Sequence, residues 1–253
     1  FQYDAYASRY LVVCGILVFL LCFLALPVTG KVFQYFRREE GRFARIVFQS
    51  GVHMGLVHGI FLSVFVAVMG TQISACLGGD SAELAGQMLR SGSSIIVLAA
   101  LSLYFARFLQ GMGKKYLLLC VLAFSAGAFL LLYFLTEKTG VLALVYGGVA
   151  AAFVLCAALG ILAYRQMKIR MDWLGVLVLP LGAGGLAGLV CMLSGMLLTE
   201  VLGALPTVLV SFVLSGMVYW ILLLMLRNFK ELELEILPGG RLMGKIGQIL
   251  HRY

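Results

Sequence analysis

Charge is what this sequence has least of. Only 12% of its 253 residues are charged, about half the share usual in a soluble domain, so the chain has too few solvating groups to cover itself against water. Acidic residues number eleven against nineteen basic ones, and none lies deep inside an apolar run; Asp172 and Glu200 stand at run ends. The apolar runs therefore hold no paired carboxylates for general acid–base work. There are three His and no HExxH, no GxSxG and no P-loop, so metalloprotease, serine hydrolase and nucleotide-hydrolysing chemistry lack their required groups. Six cysteines occur without a CxxC or any ligand spacing, which argues for inert thiols and against a zinc module or disulfide scaffold. Five of them fall in apolar runs, and Cys76 alone is expected in a loop. No metal, cofactor or enzymatic activity is expected. No signal peptide is visible before the first run, and because the chain opens on Phe1 the simplest reading is that its start is missing.

What the chain has in quantity is apolar length. It is 62% hydrophobic, with a mean hydropathy of +1.05, and seven apolar runs can be marked at about 10–30, 46–70, 91–111, 116–136, 141–163, 174–199 and 206–227. A helix rising 1.5 Å per residue needs about 20 residues to cross a hydrocarbon layer roughly 30 Å thick. The expected fold class is therefore an all-α integral membrane protein with seven transmembrane helices. Two runs joined by Gln110-Gly111-Met112-Gly113-Lys114-Lys115 must cross, turn and cross back, and the paired lysines mark that turn as cytoplasmic. On alternating links only Arg9, Arg90 and Lys138 fall on the opposite side; the other sixteen of the nineteen basic residues fall on the Lys114 side. This places the N-terminus outside and the C-terminus in the cytoplasm. The net charge of +8 thus reads as membrane topology, and no nucleic-acid partner is expected.

The links carry some local pattern. Residues 31–45 mix Arg37, Arg38, Arg42 and Arg45 with Phe33, Phe36 and Phe43, which fits either a short interfacial helix or helix ends protruding into water. The external link 71–90 holds Gly78-Gly79-Asp80-Ser81 and Glu83, a turn followed by a polar helix start. Gly184 and Gly188 stand four apart, a spacing that lets helices approach closely. Tyr10, Tyr104, Tyr116, Tyr133, Tyr164, Trp173, Tyr219 and Trp220 lie mostly near run ends, as an interfacial aromatic belt requires. After residue 229, Leu242, Met243, Ile246, Ile249 and Leu250 recur at helical spacing among Arg241, Lys245 and Arg252, a basic amphipathic helix suited to the inner leaflet.

Polar groups at membrane depth are costly and need a reason to be there. The run 46–70 contains His53 and His58, the latter near its midpoint. Five residues turn a helix by about 140°, so the two do not share one narrow face and do not make a metal pair. Each has two readings: an imidazole facing an aqueous cavity to meet a polar substrate or a proton, or one bonded to a neighbouring helix. Arg107 either snorkels to the inner interface or holds an anionic headgroup with its guanidinium. Gln110, three residues on, shares its face. These four residues are the candidate substrate-cavity set.

Three stretches carry a family likeness. Leu26-Pro27-Val28-Thr29-Gly30 leads into the charged link Arg37–Arg45, Phe108-Leu109-Gln110-Gly111-Met112-Gly113-Lys114-Lys115 makes the tight turn, and Tyr219 leads to Glu235-Ile236-Leu237-Pro238-Gly239-Gly240-Arg241. Together they resemble the C-terminal half of the stage V sporulation protein B-like flippases for polysaccharides and lipid-linked oligosaccharides, in the multidrug/oligosaccharidyl-lipid/polysaccharide exporter superfamily. The resemblance implies a fourteen-helix exporter fold of which this chain supplies the second lobe, less its first helix (1–163), the final helix pair (164–228) and a cytoplasmic amphipathic tail (229–253). It implies alternating access in a bacterial cell membrane, with a lipid-linked glycan as substrate and with membrane lipids and a missing N-terminal lobe as partners. The link 71–90 departs from the family pattern in lacking its "fG" ending. Other readings are a multidrug exporter of the same superfamily, a non-transporting scaffold for cell-envelope synthesis, and, last, a membrane glycosyltransferase or acyltransferase.

Overall fold

The computed structural model describes residues 10–21, 30–32, 34, 41–76, 82–136, 138, 140–168, 174–226 and 228. Every element among them is helical: α1 (Tyr10–Leu21), α2 (Gly41–Cys76), α3 (Ala82–Gly92), α4 (Ile95–Gly111), α5 (Lys115–Leu135), α6 (Leu142–Met167), a π-helical turn (Leu174–Val178), α7 (Leu179–Leu202) and α8 (Ala204–Met225). Five of these helices are long and apolar enough to cross a membrane, or six if the bent pair α3–α4 is one span. Among the described residues the chain is all-helical, and its long apolar helices are those of a multi-pass membrane protein. Of the expected run 10–30 only α1 and residue 30 are described, and α1 by itself is too short to cross; the amphipathic tail 229–253 lies outside the described residues.

The largest departure from the sequence reading is α2. Its 36 residues span about 54 Å, starting earlier and ending later than the expected 46–70. Arg42, Phe43 and Arg45 occupy its first turns, where Arg45 Nε donates to the Gly41 carbonyl at 3.1 Å, so this part of the charged link is a protruding helix end. At the other end the helix continues through Cys76, which is helical and not in a loop. Much of the expected link 71–90 is therefore helix, with α3 folded back along the end of α2. The expected run 91–111 is also broken. α3 and α4 meet at a 47° bend around Ser93 and Ser94, where the Ser93 hydroxyl bonds the Arg90 carbonyl at 3.2 Å in place of a regular ladder.

α2 is the helix about which the others assemble. Just over half of its apolar window is buried, 56%, against 6% for α5 and about 30% for α6, α7 and α8. Contacts fix the directions of its neighbours. Phe48 meets Phe108 while Gly59 meets Val97, so α4 runs antiparallel to α2. Gly184 meets Ile60 and Gly195 meets Met69, so α7 runs parallel. Phe61 stacks on Tyr219 and Phe65 packs edge-on against Phe212, so α8 returns antiparallel. Gly148 faces Ile95 and Gly160 faces Phe105, placing α6 parallel to α4, with α5 antiparallel through the Ser125 hydroxyl on the Ala151 carbonyl.

These directions gather charge at one end of the bundle. Arg42 and Arg45 of α2, Arg107 and Lys114 beside the α4–α5 turn, and Arg165 and Lys168 at the end of α6 all lie there, whereas Arg90 and Lys138 lie at the other end.

The glycines expected to let helices approach do so. A Cβ on Gly188 would fall 2.8 Å from Val64 Cγ1, while Gly182 and Gly185 face open space. α7 and α8, the expected final pair, are pinned by the Ser194 hydroxyl on Ser211 Oγ at 2.8 Å, both buried. The π-turn before α7 places Pro180 in the helix's first turn, where its missing N–H costs little. Three tyrosines expected in an interfacial belt instead pin the core. The Tyr10, Tyr104 and Tyr219 hydroxyls donate to the carbonyls of Gly92 (3.4 Å), Phe48 (3.2 Å) and Val57 (2.7 Å), because a buried phenol needs an acceptor that a lipid tail cannot supply. Tyr116, 85% exposed, does fit the belt; Trp173 lies outside the described residues.

Candidate functional site

The four candidate residues divide into two separate places. His53 and His58 lie on α2 about 140° apart, yet His58 meets helix α8 and His53 meets Asn228 just beyond it. His53 is buried and its Nε2 is 3.0 Å from Asn228 Nδ2, just past the end of α8. An amide N–H donating to that ring nitrogen requires Nε2 to be the acceptor, with the proton on Nδ1. His58 is half-buried. Its Nδ1 lies 2.8 Å from the Met54 carbonyl one turn back, which makes Nδ1 the protonated nitrogen, and its ring stands edge-on to Trp220 with centroids 5.1 Å apart. Nε2 of His58 is then left as the ring's acceptor. With Arg45 at the basic end, His58 sits about 20 Å along α2, near the middle of a hydrocarbon layer.

Arg107 and Gln110 share an exposed face of α4 with Leu103. Phe105, Phe108 and Leu109, on the opposite face, are buried against α2 and α6. The face spacing read from the sequence is therefore present, but the pair is not brought to the histidines. Gln110 is followed by the turn itself, where the Gly113 amide donates to the Gln110 carbonyl at 3.0 Å and Gly113 takes φ +76°.

A cavity of about 550 Å³ lies between α2, α4 and α6, with Leu177 of the π-turn in its wall. On α2 it is bordered by Val52 and Leu56, and on α4 by Leu98, Leu101 and Phe105. None of the four candidate residues lines it. Sequence reading did not find this space, because it arises from small side chains on α6 (Cys156, Ala157 and Gly160) facing a bulky face of α4. Trp220, expected in the aromatic belt, stands beside His58, a neighbour that no sequence spacing indicates.

No group of three or more potential metal ligands occurs among the described residues. No protein family, curated protein or solved structure matches the chain, so the flippase likeness rests on the motifs alone.

Proposed function

We propose that this chain is part of a bacterial membrane transporter that moves a lipid-linked oligosaccharide or polysaccharide precursor across the cell membrane by alternating access, its basic end in the cytoplasm. The observation that carries this reading is His58: a partly buried imidazole near mid-depth on the most buried membrane helix, with Nδ1 held by the Met54 carbonyl and Nε2 left as the acceptor. Groups of this kind are expensive in a bilayer and mark paths for polar cargo. Arg107 and Gln110, on an exposed face of α4 near the basic end, would meet an anionic headgroup entering from that side, and the complementary lobe implied by the resemblance would close the path. The lipid tail of the cargo would stay in the bilayer while its polar head passed.

The test is flipping of a fluorescent lipid-linked oligosaccharide by the intact protein in vesicles. Loss of one hydrogen bond to a charged group costs about 1.5–3 kcal/mol, so His58→Ala and Arg107→Ala are each expected to slow flipping by about tenfold or more, with little change in the amount of inserted, folded protein. Wild-type flipping by a correctly inserted double variant would refute the assignment.

A further inference from the structure

The cavity between α2, α4 and α6 has a chemistry different from that of a path for sugars. Of its twelve lining residues only Cys156 and Tyr164 have a polar side-chain atom. A water molecule takes about 30 Å³ in the liquid and needs two to four polar partners. Filling the space with water would thus strand on the order of 18 molecules against an apolar wall. Leaving it empty forfeits dispersion contact over the whole lining. Hydrocarbon avoids both costs, and in a bilayer hydrocarbon is what lies outside.

The geometry gives it a way in. Phe153, Ala157 and Ile161 follow one another at four-residue spacing along one stripe of α6, and residues so spaced share a helix face. Phe153 and Ile161 are 61% and 56% exposed, so the mouth opens sideways through the outer face of α6, in the membrane plane. The same stripe then reaches charge. Tyr164 lines the cavity, and the exposed Arg165 and Lys168 follow within one turn. Lys168 closes α6 in a left-handed conformation at φ 52°. From Ile161 to Lys168 the helix rises about 10 Å, the step from acyl region to headgroup.

We propose that this cavity holds one acyl chain of an anionic phospholipid whose phosphate is bound at Arg165 and Lys168. The anionic headgroup is chosen on charge complementarity: two cations follow the mouth along α6 within about two turns, and no Asp or Glu occurs on α6 to offset them. The site is independent of whether the chain transports anything.

The test uses the full protein in phosphatidylcholine vesicles containing a trace of phosphatidylglycerol with a mid-chain diazirine, followed by irradiation and mapping of the adducts. Adducts are expected on 153–164 and 98–105 in clear excess over residues 117–135 of α5, whose side chains are mostly exposed. Each basic residue near a membrane surface favours anionic lipid by roughly fivefold, so Arg165→Gln is expected to cut cavity labelling about fivefold. Ala157→Phe, which fills the mouth, should abolish most of it, with α5 labelling unchanged in both variants. Three results would each overturn the proposal: equal labelling of α5 and the cavity, cavity labelling unmoved by Ala157→Phe, and equal labelling by a phosphatidylcholine bearing the same diazirine. Arg165→Gln alters only an exposed side chain, so it stays informative if Ala157→Phe does not fold.

Discussion

Replacing Gly59 by Ala tests whether α2 and α4 cross as closely as their backbones indicate. A methyl group at residue 59 would lie 2.6 Å from Val97 Cγ2, 2.9 Å from Val97 Cβ and 3.2 Å from Val97 Cα. Rotating Val97 relieves only the first of these. The other two atoms are fixed to the α4 backbone, so the helices must part by a few tenths of an ångström, and the packing beside the contact, with Leu56, Ile60 and Leu101 buried and Gly55 against Leu101, resists that. Overpacking of this kind costs about 1–3 kcal/mol, and alanine's helix preference over glycine returns about 1 kcal/mol. Because backbone atoms are involved, the upper half of the range applies, and Gly59→Ala is expected to be less stable by about 1–2 kcal/mol. Gly182→Ala, where nothing lies within 4 Å, should keep only the gain and be stabilised by up to about 1 kcal/mol. The assay is reversible unfolding of the purified protein in mixed micelles titrated with a denaturing detergent. Adding Val97→Ala to Gly59→Ala should recover part of the loss by removing Cγ2. Equal stabilities for the two glycine variants would refute the crossing.

Other consequences follow from single hydroxyls. Tyr219→Phe removes the 2.7 Å bond to the Val57 carbonyl, which joins α8 to α2 with the ring fully buried; a loss of about 1 kcal/mol is expected, since interhelical bonds in membranes average somewhat less than that and reach about 1.7. The same titration reads it, and an unchanged midpoint would contradict the bond. Ser63 Oγ is buried without a hydrogen-bond partner, so its desolvation is uncompensated. Ser63→Ala should leave stability unchanged or raise it by up to about 1 kcal/mol, and a clear loss in that titration would mean that the hydroxyl is bonded.

How much of this was legible in the sequence depended on what kind of signal each feature left. α5, α7 and α8 were legible to within a few residues, because apolar runs of about 20 or more residues bounded by charge, such as Lys115, Asp172, Glu200 and Arg227, have few alternatives in a bilayer. α2 was cut short, since hydropathy ends where charge begins while backbone hydrogen bonding does not; Arg42 and Arg45 are as compatible with helix as the apolar residues after them. The bend between α3 and α4 did have a signal, the cluster Ser91-Gly92-Ser93-Ser94, of the sort that punctuates helices. The shared face of Arg107 and Gln110 followed from spacing alone. What could not be read was any contact between distant segments. His53 and Asn228 are 175 residues apart, and the apolar cavity depends on which face of α6 meets Phe105. Tyr10, Tyr104 and Tyr219 were illegible for the same reason: a tyrosine near a run's end and one donating to a neighbouring helix look identical until the helices are packed.

The central claim is that these helices cross a membrane in alternation, with the basic ends of α2, α4 and α6 on one side. Lys114 and Lys138 are both exposed and flank α5, which is about 30 Å long. The direct measurement is labelling of single cysteines at residues 114 and 138, each in a protein whose six native cysteines are replaced, with a membrane-impermeant maleimide applied to right-side-out and inverted vesicles. Residue 114 should react only in inverted vesicles and residue 138 only in right-side-out ones. Reaction of both from the same side would contradict the threading, and the assignment of a transport path through these helices with it.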